Sequence, residues 1–429
     1  MDKFFGITEN NSTIRKEVLA GLSTFLTMSF IVAVNPMFLQ DAGIPFAAGF
    51  VATILATVVG TAIMGLWAKW PVAVAPGMGL NAYFAYGLVL GQQFSWQQAL
   101  AAVFVASVLF LLFSLSRLRS WLIGAIPVTL QAGITAGIGL FLVMIGLQGM
   151  GLVADDPDTL LRLGALNTPE LILALLGVVT MAGFAARGIR GGVLLTILGL
   201  SVIGWVTGLA NFGGVVGSPP VASAALSLDF SQLASFGFLS VVFVLFFLDF
   251  FDTTGTLTGI AGIAGKRRED GSIENLDKAV LADTGASVVG SLMGTSSMTT
   301  YLESAAGIRD GGRTGLTALT VAVLFLGCLF LEPLFSSIPA FATAPALVFV
   351  GTGFLAPLRT LDWDDMTIAV PVMLMAILMP LTFSIAAGIA IGFLAYVLIR
   401  LVAGRAAQIN AGTYVITGFG CLWLVAPFV

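Results

Sequence analysis

The stretch VVFVLFFLDFFDTTGT, residues 241–256, decides how the rest of the chain is interpreted. Its Val, Leu and Phe residues are typical of a membrane-spanning helix, but it also carries two carboxylates, Asp249 and Asp252. An ionisable residue at the bilayer centre costs about 2.5–3.5 kcal/mol on insertion scales, so such residues usually face a protein interior or a water-filled path. Either the two acids mark a substrate or proton site, or they lie near an interface or are kept neutral by local hydrogen bonds.

The composition of the whole chain is that of a membrane protein. Of its 429 residues, 58% are hydrophobic and only 9% are charged, whereas globular proteins average about 25% charged residues. The chain has no histidine, so Asp and Glu must carry any transported proton. Cys328 and Cys421 lie in separate apolar runs and indicate neither a disulfide nor a metal site. We expect no cofactor and no nucleic-acid partner.

Apolar runs of about 20 residues, the length of a helix that crosses a bilayer, predict fourteen spans. These are residues 18–39, 46–68, 71–90, 97–116, 124–150, 169–186, 190–209, 236–261, 276–293, 294–308, 315–335, 339–357, 366–383 and 385–402. A last apolar stretch, 411–429, either crosses as a fifteenth span or lies against the bundle.

The basic residues fall almost entirely in alternate connections between these spans. They are Arg15, Lys16, Lys69, Arg117, Arg119, Arg187, Arg190, Lys266, Arg267, Arg268, Arg309, Arg313, Arg359, Arg400 and Arg405. Arg162 alone lies on the other side, among three aspartates. Since cytoplasmic loops carry an excess of Lys and Arg, this alternation predicts a multi-pass protein of the inner membrane with a cytoplasmic N-terminus.

The two halves of the chain resemble each other. Residues 71–87, PVAVAPGMGLNAYFAYG, resemble 293–308, MGTSSMTTYLESAAGI, and each has a polar residue after Leu, namely Asn81 and Glu303. Two further pairs, 126–147 with 338–358 and 187–206 with 383–402, keep the same order. The pattern predicts a first repeat over 1–210, a linker over 211–235, a second repeat over 236–405 and a C-terminal segment over 406–429. Because seven spans is an odd number, the repeats are expected to be inverted, as in many secondary transporters.

Residues 294–308 are too polar and too rich in Ser and Thr for a simple lipid-facing helix. Non-helical backbone at membrane depth survives only inside protein or beside a cavity. We therefore predict a short extended piece followed by a half-helix that begins near 303–306. The counterpart at 76–82, broken by Pro76 and glycines, is expected to behave alike, although a simple kink or turn would also explain it.

If the two broken spans cross at the midplane, Glu303 comes close to Asp249 and Asp252. Neighbouring carboxylates in a low-dielectric cavity cannot all be ionised, so at least one is expected to be protonated near neutral pH. Asp283 is a fourth intramembrane acid, and a hydrogen bond to the broken backbone explains it as well as a direct role does.

The remaining candidate side chains point to the type of ligand. Asn81, Ser296 and Ser297, together with the acids, suit a small planar molecule rich in N–H donors. Ring stacking by one of the neighbouring phenylalanines is a further option. These phenylalanines are Phe243, Phe246, Phe247, Phe250 and Phe251.

Five stretches resemble the AzgA-like purine permeases, a branch of the nucleobase–cation symporter superfamily that includes the uracil permease. The stretches are STIRKEVLAGLSTFLTMSFIVAVNP (12–36), PVAVAPGMGLNAYFAY (71–86), FDTTGTLTGIA (251–261), GTSSMTTYLESAAGIRDGGRTGLTA (294–318) and IPAFATAPALVFVG (338–351). The resemblance implies an all-α polytopic fold of fourteen spans in two inverted repeats, with short antiparallel strands in spans 3 and 10. It also implies a core domain, 18–116 plus 236–335, and a gate domain, 120–209 plus 339–402.

The resemblance further implies proton-coupled uptake of purine nucleobases, with guanine and hypoxanthine favoured over adenine. Carried over by position, the resemblance implies substrate binding by Asn81, Asp249, Asp252 and Glu303. The residue analysis adds Ser296 and Ser297 to the predicted substrate-binding residues, and it predicts Asp252, Asp283 and Glu303 as the proton-coupling residues. Which of Asp249 and Asp252 contacts the base stays open, as does dimerisation through the gate domain.

Three alternatives remain, and the second and third belong to other classes. The first is a transporter of another nucleobase, such as xanthine or uracil. The second is an anion carrier on the same fold, although the predicted site carries acids and no Lys or Arg. The third is an intramembrane enzyme, for which the chain has none of the common nucleotide-binding or hydrolase motifs.

Overall fold

The computed structural model describes residues 2–116, 127–268 and 272–425, and most of them are helical. The first nine α-helices are α1 (Asp2–Phe5), α2 (Ile14–Met28), α3 (Ile31–Asp41), α4 (Phe46–Ile63), α5 (Met78–Ala82), α6 (Trp96–Ser114), α7 (Val128–Gly149), α8 (Pro169–Ala186) and α9 (Gly192–Thr207). The other nine are α10 (Phe236–Ile263), α11 (Leu276–Met293), α12 (Ser304–Arg309), α13 (Gly315–Cys328), α14 (Glu332–Ser336), α15 (Ala340–Gly353), α16 (Met366–Thr382), α17 (Ile385–Val402) and α18 (Ala411–Val425).

Shorter helical segments continue several of these helices. Met64–Ala68 and Tyr83–Gly91 are π-helical, and Leu329–Leu331, Ala356–Thr360 and Ala406–Gln408 are 3-10 helices. Three sequence features lie outside the described residues: the predicted start of the fifth span at 124, Arg117 with Arg119, and the last four residues of 411–429.

Many of the helices are long enough to span a membrane. Within the described residues, nine helical stretches are long and apolar enough to cross a bilayer, and three shorter apolar helices accompany them. This confirms a mostly helical, polytopic membrane protein. Of the other predicted spans, 71–90 and 294–308 are broken segments, and 276–293 coincides with the more polar helix α11. The full count of fourteen remains a prediction.

The two broken segments contain the short strands that the sequence predicts. Strand β1 (Val74–Pro76) pairs antiparallel with β4 (Met298–Thr300), with Ala75 opposite Thr299. One residue separates β1 from α5, whereas three residues separate β4 from α12. Pairing with each other gives these strands backbone partners that the bilayer interior does not offer.

A second strand pair was not predicted from the sequence. Strands β2 (Val153–Asp156) and β3 (Leu160–Leu163) form a hairpin between α7 and α8. Its turn is held by the Asp156 carboxylate, which accepts the backbone N–H groups of Asp158 and Thr159 at 3.0 and 2.9 Å. Such local side-chain bonds are typical of Asp in turns. The sequence shows this region only as a polar loop.

The helices pack in two groups. The first group consists of α2–α6 and α10–α14, and the second consists of α7–α9 and α15–α18. Contacts between the groups are sparser and include α2 with α9 and α5 with α7. The C-terminal helix α18 packs on α17 and also reaches the first group, because Phe419 stacks on Phe243 of α10 with ring centroids 4.1 Å apart.

Candidate functional site

Strands β1 and β4 meet inside the first helix group, and neighbouring helices satisfy their outer edges. The Thr61 hydroxyl on α4 accepts the N–H of Val74 at 3.0 Å and donates to its carbonyl at 2.9 Å. The Ser287 hydroxyl on α11 does the same for Met298, at 3.0 and 2.8 Å. Each strand therefore has hydrogen-bond partners on both sides, as a buried backbone requires.

Further bonds fix the two broken segments to each other. The Tyr301 hydroxyl donates to the Pro76 carbonyl at 2.6 Å. The Gly77 N–H donates to the Ser297 carbonyl, and the Ala73 N–H to the Ser304 hydroxyl, both at 3.0 Å. This rigid crossing determines where the side chains that follow each strand can lie.

A cavity of about 590 Å³ lies where the two helix groups face each other. The first group contributes residues of α5, α10 and the segment 302–303, and the second contributes residues of α7, α15 and the turn that follows α15. Small-molecule sites commonly measure about 300–1,000 Å³, so the cavity is large enough for one or two aromatic rings.

Two of the predicted acids, Asp252 and Glu303, line this cavity. Asp249, one turn earlier on α10, does not line it and is only 2% exposed. The geometry thus separates the two acids of the opening stretch, because only the second faces open space. Among the described residues that line the cavity, none is basic.

Asp249 and Asp283 lie behind the cavity wall. Asp283 on α11 is fully buried and accepts a hydrogen bond from the Thr253 hydroxyl of α10. One carboxylate oxygen of each acid has no hydrogen-bond partner within the described residues. The two carboxylates interact electrostatically. Burial makes two simultaneous negative charges here very costly.

The structure brings together Asn81 and Ser296, but not at the cavity surface. Both are fully buried, and the Ser296 hydroxyl donates to the Asn81 side-chain carbonyl. Ser297 is also buried and does not line the cavity. Gly79 and Leu80, in the first turn of α5, do line it. Backbone N–H groups in a first helical turn lack intrahelical acceptors, so this turn offers donors.

Sequence reasoning missed the polar residues of the opposite wall. Gln131 and Thr135 of α7 and Thr352 of α15 face the cavity from the second group. Each is an isolated polar residue in an ordinary apolar span, a pattern that does not reveal which way the side chain points. The only available signal was that Gln131 is an amide inside a predicted span.

The aromatic residues of α10 have mostly structural positions. Of the five phenylalanines considered for stacking, only Phe251 lines the cavity, where Phe349 and Phe354 accompany it. Phe246 and Phe250 instead pack against Phe110 and Phe113 of α6, with ring centroids 5.5–6.0 Å apart, and Phe243 stacks on Phe419.

Comparison with known proteins gives strong matches over nearly the whole chain. The model described as Permease family (Xan_ur_permease) matches residues 15–391. The chain is 40% identical to the adenine permease AdeP of Escherichia coli (strain K12), covering 94% of this chain and 91% of that protein. It is also 40% identical to the guanine/hypoxanthine permease PbuO of Bacillus subtilis (strain 168), covering 99% of this chain and all of that protein.

Among solved structures, the chain is similar to the transmembrane domain of the cyanobacterial bicarbonate transporter BicA. The TM-score is 0.63 at 19% identity, with 89% of this chain and 97% of that domain covered. At this identity the likeness concerns the fold alone.

Proposed function

The chain belongs to the Permease family, and we propose that it is a proton-coupled importer of purine nucleobases. A permease moves its substrate without converting it, so the family excludes the enzyme alternative. The observation that carries the proposal is that two carboxylates, Asp252 and Glu303, face one cavity that contains no basic side chain among its described lining residues.

The chemistry of the cavity suits a purine. Carboxylates accept from ring and exocyclic N–H groups, and the first turn of α5 offers backbone donors to ring nitrogens or carbonyls. Phe251, Phe349 and Phe354 supply aromatic surface beside these polar groups. Rings offset or edge-on to a planar ligand add about 0.5–1.5 kcal/mol beyond area burial.

Guanine and hypoxanthine are the proposed substrates in preference to adenine. Both oxopurines have an N1–H group that can donate a hydrogen bond to a carboxylate. In adenine, N1 carries no hydrogen and can only accept a hydrogen bond. The relatives AdeP and PbuO are equally identical to this chain, at 40%, so overall similarity does not decide between the purines. Xanthine and uracil remain alternatives for the uptake assay to test.

Proton coupling is proposed to run on Asp252, Glu303 and Asp283. In the absence of histidine, only carboxylates can bind and release a proton near neutral pH in this region. Protonation of a carboxylate would neutralise its charge when the substrate enters. Release of the substrate and the proton to the cytoplasm would return the carboxylate to its ionised state. Asp249 and Asn81, which the sequence suggested for substrate contact, have supporting positions in this scheme, as do Ser296 and Ser297.

Alternating access follows from the two helix groups. We propose that the first group is the core domain and the second the gate domain, and that fourteen spans form two inverted seven-span repeats. A cavity lined by both groups opens to one side or the other when one group moves against its partner. The proposed location is the inner membrane, with the N-terminus in the cytoplasm. Contact between gate domains of two copies would give a homodimer.

Uptake of labelled hypoxanthine, guanine and adenine by cells that lack purine permeases tests the function. We expect uptake that a protonophore abolishes and that Asp252→Asn and Glu303→Gln both remove. Uptake that survives both substitutions would contradict the proposed site. Uptake that is insensitive to the protonophore would contradict the proposed proton coupling.

An anion carrier is the second candidate, since the fold is shared with a bicarbonate transporter. The acidic cavity argues against it, because an anion placed beside two carboxylates is repelled. Competition by bicarbonate, without competition by purines, would favour this candidate.

A further inference from the structure

A buried carboxylate outside the cavity has no part in the transport cycle described so far. Glu17, in the first turn of α2, is fully buried. Its side chain accepts the N–H groups of Arg313 and Thr314 at 3.1 and 3.2 Å, and the Thr317 hydroxyl at 2.6 Å. These donors lie in the turn after α12 and in the first turn of α13. Glu17 therefore ties α2 to the chain segment that follows α12.

The helix α12 depends on its neighbours for stability, because it has only six residues. Isolated helices shorter than about 12–15 residues are marginal in water. Among the described helices, α12 packs mainly against α2 and to a smaller extent against α10. Glu303 is the N-cap residue of α12 and lines the cavity. The seating of α12 on α2 therefore helps to determine where the Glu303 carboxylate lies.

One face of α2 receives this half-helix along its whole length. The residues of α2 that do so recur at intervals of three or four, and therefore share one side of the helix. The Thr27 hydroxyl donates to the Glu303 carbonyl at 3.3 Å. Gly307 lies so close to this face that a β-carbon there would be 2.3 Å from both the Ala20 carbonyl oxygen and the Thr24 hydroxyl oxygen. The bonds from the turn after α12 hold the far end.

We propose that Glu17 is a positioning residue for Glu303, which rests on the proposed role of Glu303 in purine binding. By holding the chain beyond α12, Glu17 keeps the half-helix on α2 and the acid at its start against the purine. Glu17 itself is buried and does not line the cavity. Its removal should therefore change purine affinity only as far as Glu303 contributes to that affinity.

The first measurement reports the position of the segment in the absence of purine. Leu302 directly precedes Glu303, lines the cavity and is 59% exposed. The solubilised Leu302→Cys protein is labelled with a water-soluble maleimide, with and without Glu17→Gln, and the labelling of the two native cysteines is subtracted. An amide nitrogen cannot accept a hydrogen bond, so Glu17→Gln leaves at least one donor unpaired. We expect the labelling rate to change by at least about threefold, because the segment shifts.

The second measurement separates positioning from general stability. The Kd of labelled hypoxanthine is compared in the wild type, Glu17→Gln, Glu303→Gln and the double variant. Glu17→Gln alone should weaken binding by at least about threefold, since small misplacements of a binding group are costly. In the Glu303→Gln background it should weaken binding by less than about twofold, because coupled residues are not additive. A residue that served stability alone would lower the amount of folded protein and leave these constants unchanged.

Two threonines of α13 provide matched variants. The Thr317 hydroxyl donates to Glu17, whereas the Thr320 hydroxyl, which also faces α2, donates to the Leu316 carbonyl of its own helix at 2.9 Å. Thr317→Val should shift both measurements in the same direction as Glu17→Gln, and it replaces that variant if Glu17→Gln does not fold. Thr320→Val keeps the shape and removes only a bond within α13, so both values should stay within about twofold.

Three results would overturn the proposal. The first is an unchanged labelling rate and Kd in both Glu17→Gln and Thr317→Val. The second is an equal shift in Thr320→Val, and the third is an equal loss of affinity from Glu17→Gln with and without Glu303. If the wild type binds no purine, the proposed function fails, and the labelling rates still decide whether Glu17 positions the segment.

Discussion

The two broken segments share a backbone design and differ in the chemistry that they present. Each begins with a three-residue strand, β1 or β4, and each strand is held at its outer edge by one hydroxyl, from Thr61 or Ser287. The polar residues that follow the two strands lie in different environments. Glu303 lines the cavity, whereas Asn81 is fully buried and bonded to Ser296.

The difference arises from where the helix starts. After β1, α5 begins within two residues, which places Asn81 inside the helix, five residues beyond the strand. After β4, two further residues intervene, and Glu303 precedes the first residue of α12. Glu303, at the N-cap of α12, and Asn81, within α5, therefore occupy different positions relative to the start of their helices. Similar sequence patterns thus place the polar residue of one segment at the cavity and that of the other in the buried interior.

Replacing Glu303 should have the largest effect on transport. Hydrogen bonds to charged groups contribute about 1.5–3 kcal/mol, which corresponds to about 10- to 150-fold in binding. Glu303→Gln keeps the shape but loses the charge, so purine uptake should fall by that factor or more. Initial uptake rates in permease-null cells, normalised to the amount of protein in the membrane, measure it.

Two controls delimit this prediction. Asp364→Asn changes an exposed acid before α16 and should leave uptake unchanged. Asn81→Ala should lower the amount of folded protein, because it leaves the Ser296 hydroxyl without its acceptor, but should preserve the apparent affinity of the remainder. A loss of affinity in Asn81→Ala equal to that in Glu303→Gln would refute the division of roles between the segments.

The sequence predicts the backbone of this site better than its side chains. Pro76 and Gly77 interrupt the first helix, and the Ser- and Thr-rich residues 295–300 disfavour a helix in the second segment. The strands and half-helices were therefore predictable from the sequence. The face of a helix is harder to predict. Asp249 and Asp252 are three residues apart, about 60° around a helix, and only the arrangement of α10 relative to α7 and α15, which line the other side of the cavity, decides which one meets it. Gln131 was missed for the same reason.

Removing either strand-edge hydroxyl should destabilise the fold to a similar extent. Thr61→Val and Ser287→Ala each leave a buried strand N–H and carbonyl without their side-chain partner, at a cost of about 1–3 kcal/mol per unsatisfied group. We expect both to lower the free energy of unfolding of the detergent-solubilised protein, measured by denaturant titration.

The matched control for this pair is Thr57→Val, one turn before Thr61 on α4. The Thr57 hydroxyl is buried and makes no hydrogen bond within the described residues, so its removal should cost less. An equal loss of stability in Thr57→Val and Thr61→Val would show that the hydroxyl does not support the strand.

The smallest expected effect concerns the end of the second segment. Asp310, directly after α12, forms an ion pair with Arg190 of the second helix group, whose side chain is 55% exposed. The other two ion pairs of the described residues, Lys266–Glu274 and Arg405–Asp365, each stay within one group. Of these three pairs, Arg190–Asp310 is the one that must break if the groups move against each other during transport.

Arg190→Gln should therefore alter the maximal uptake rate, by no more than about fivefold, because exposed ion pairs contribute about 0.2–1 kcal/mol. Arg405→Gln removes a pair of similar exposure inside the second group and should leave the rate unchanged. Exchanging the charges, with Arg190→Asp and Asp310→Arg together, should restore much of the wild-type rate. If Arg405→Gln and Arg190→Gln change the rate equally, the second segment is not tethered across the groups in the way its ion pair suggests.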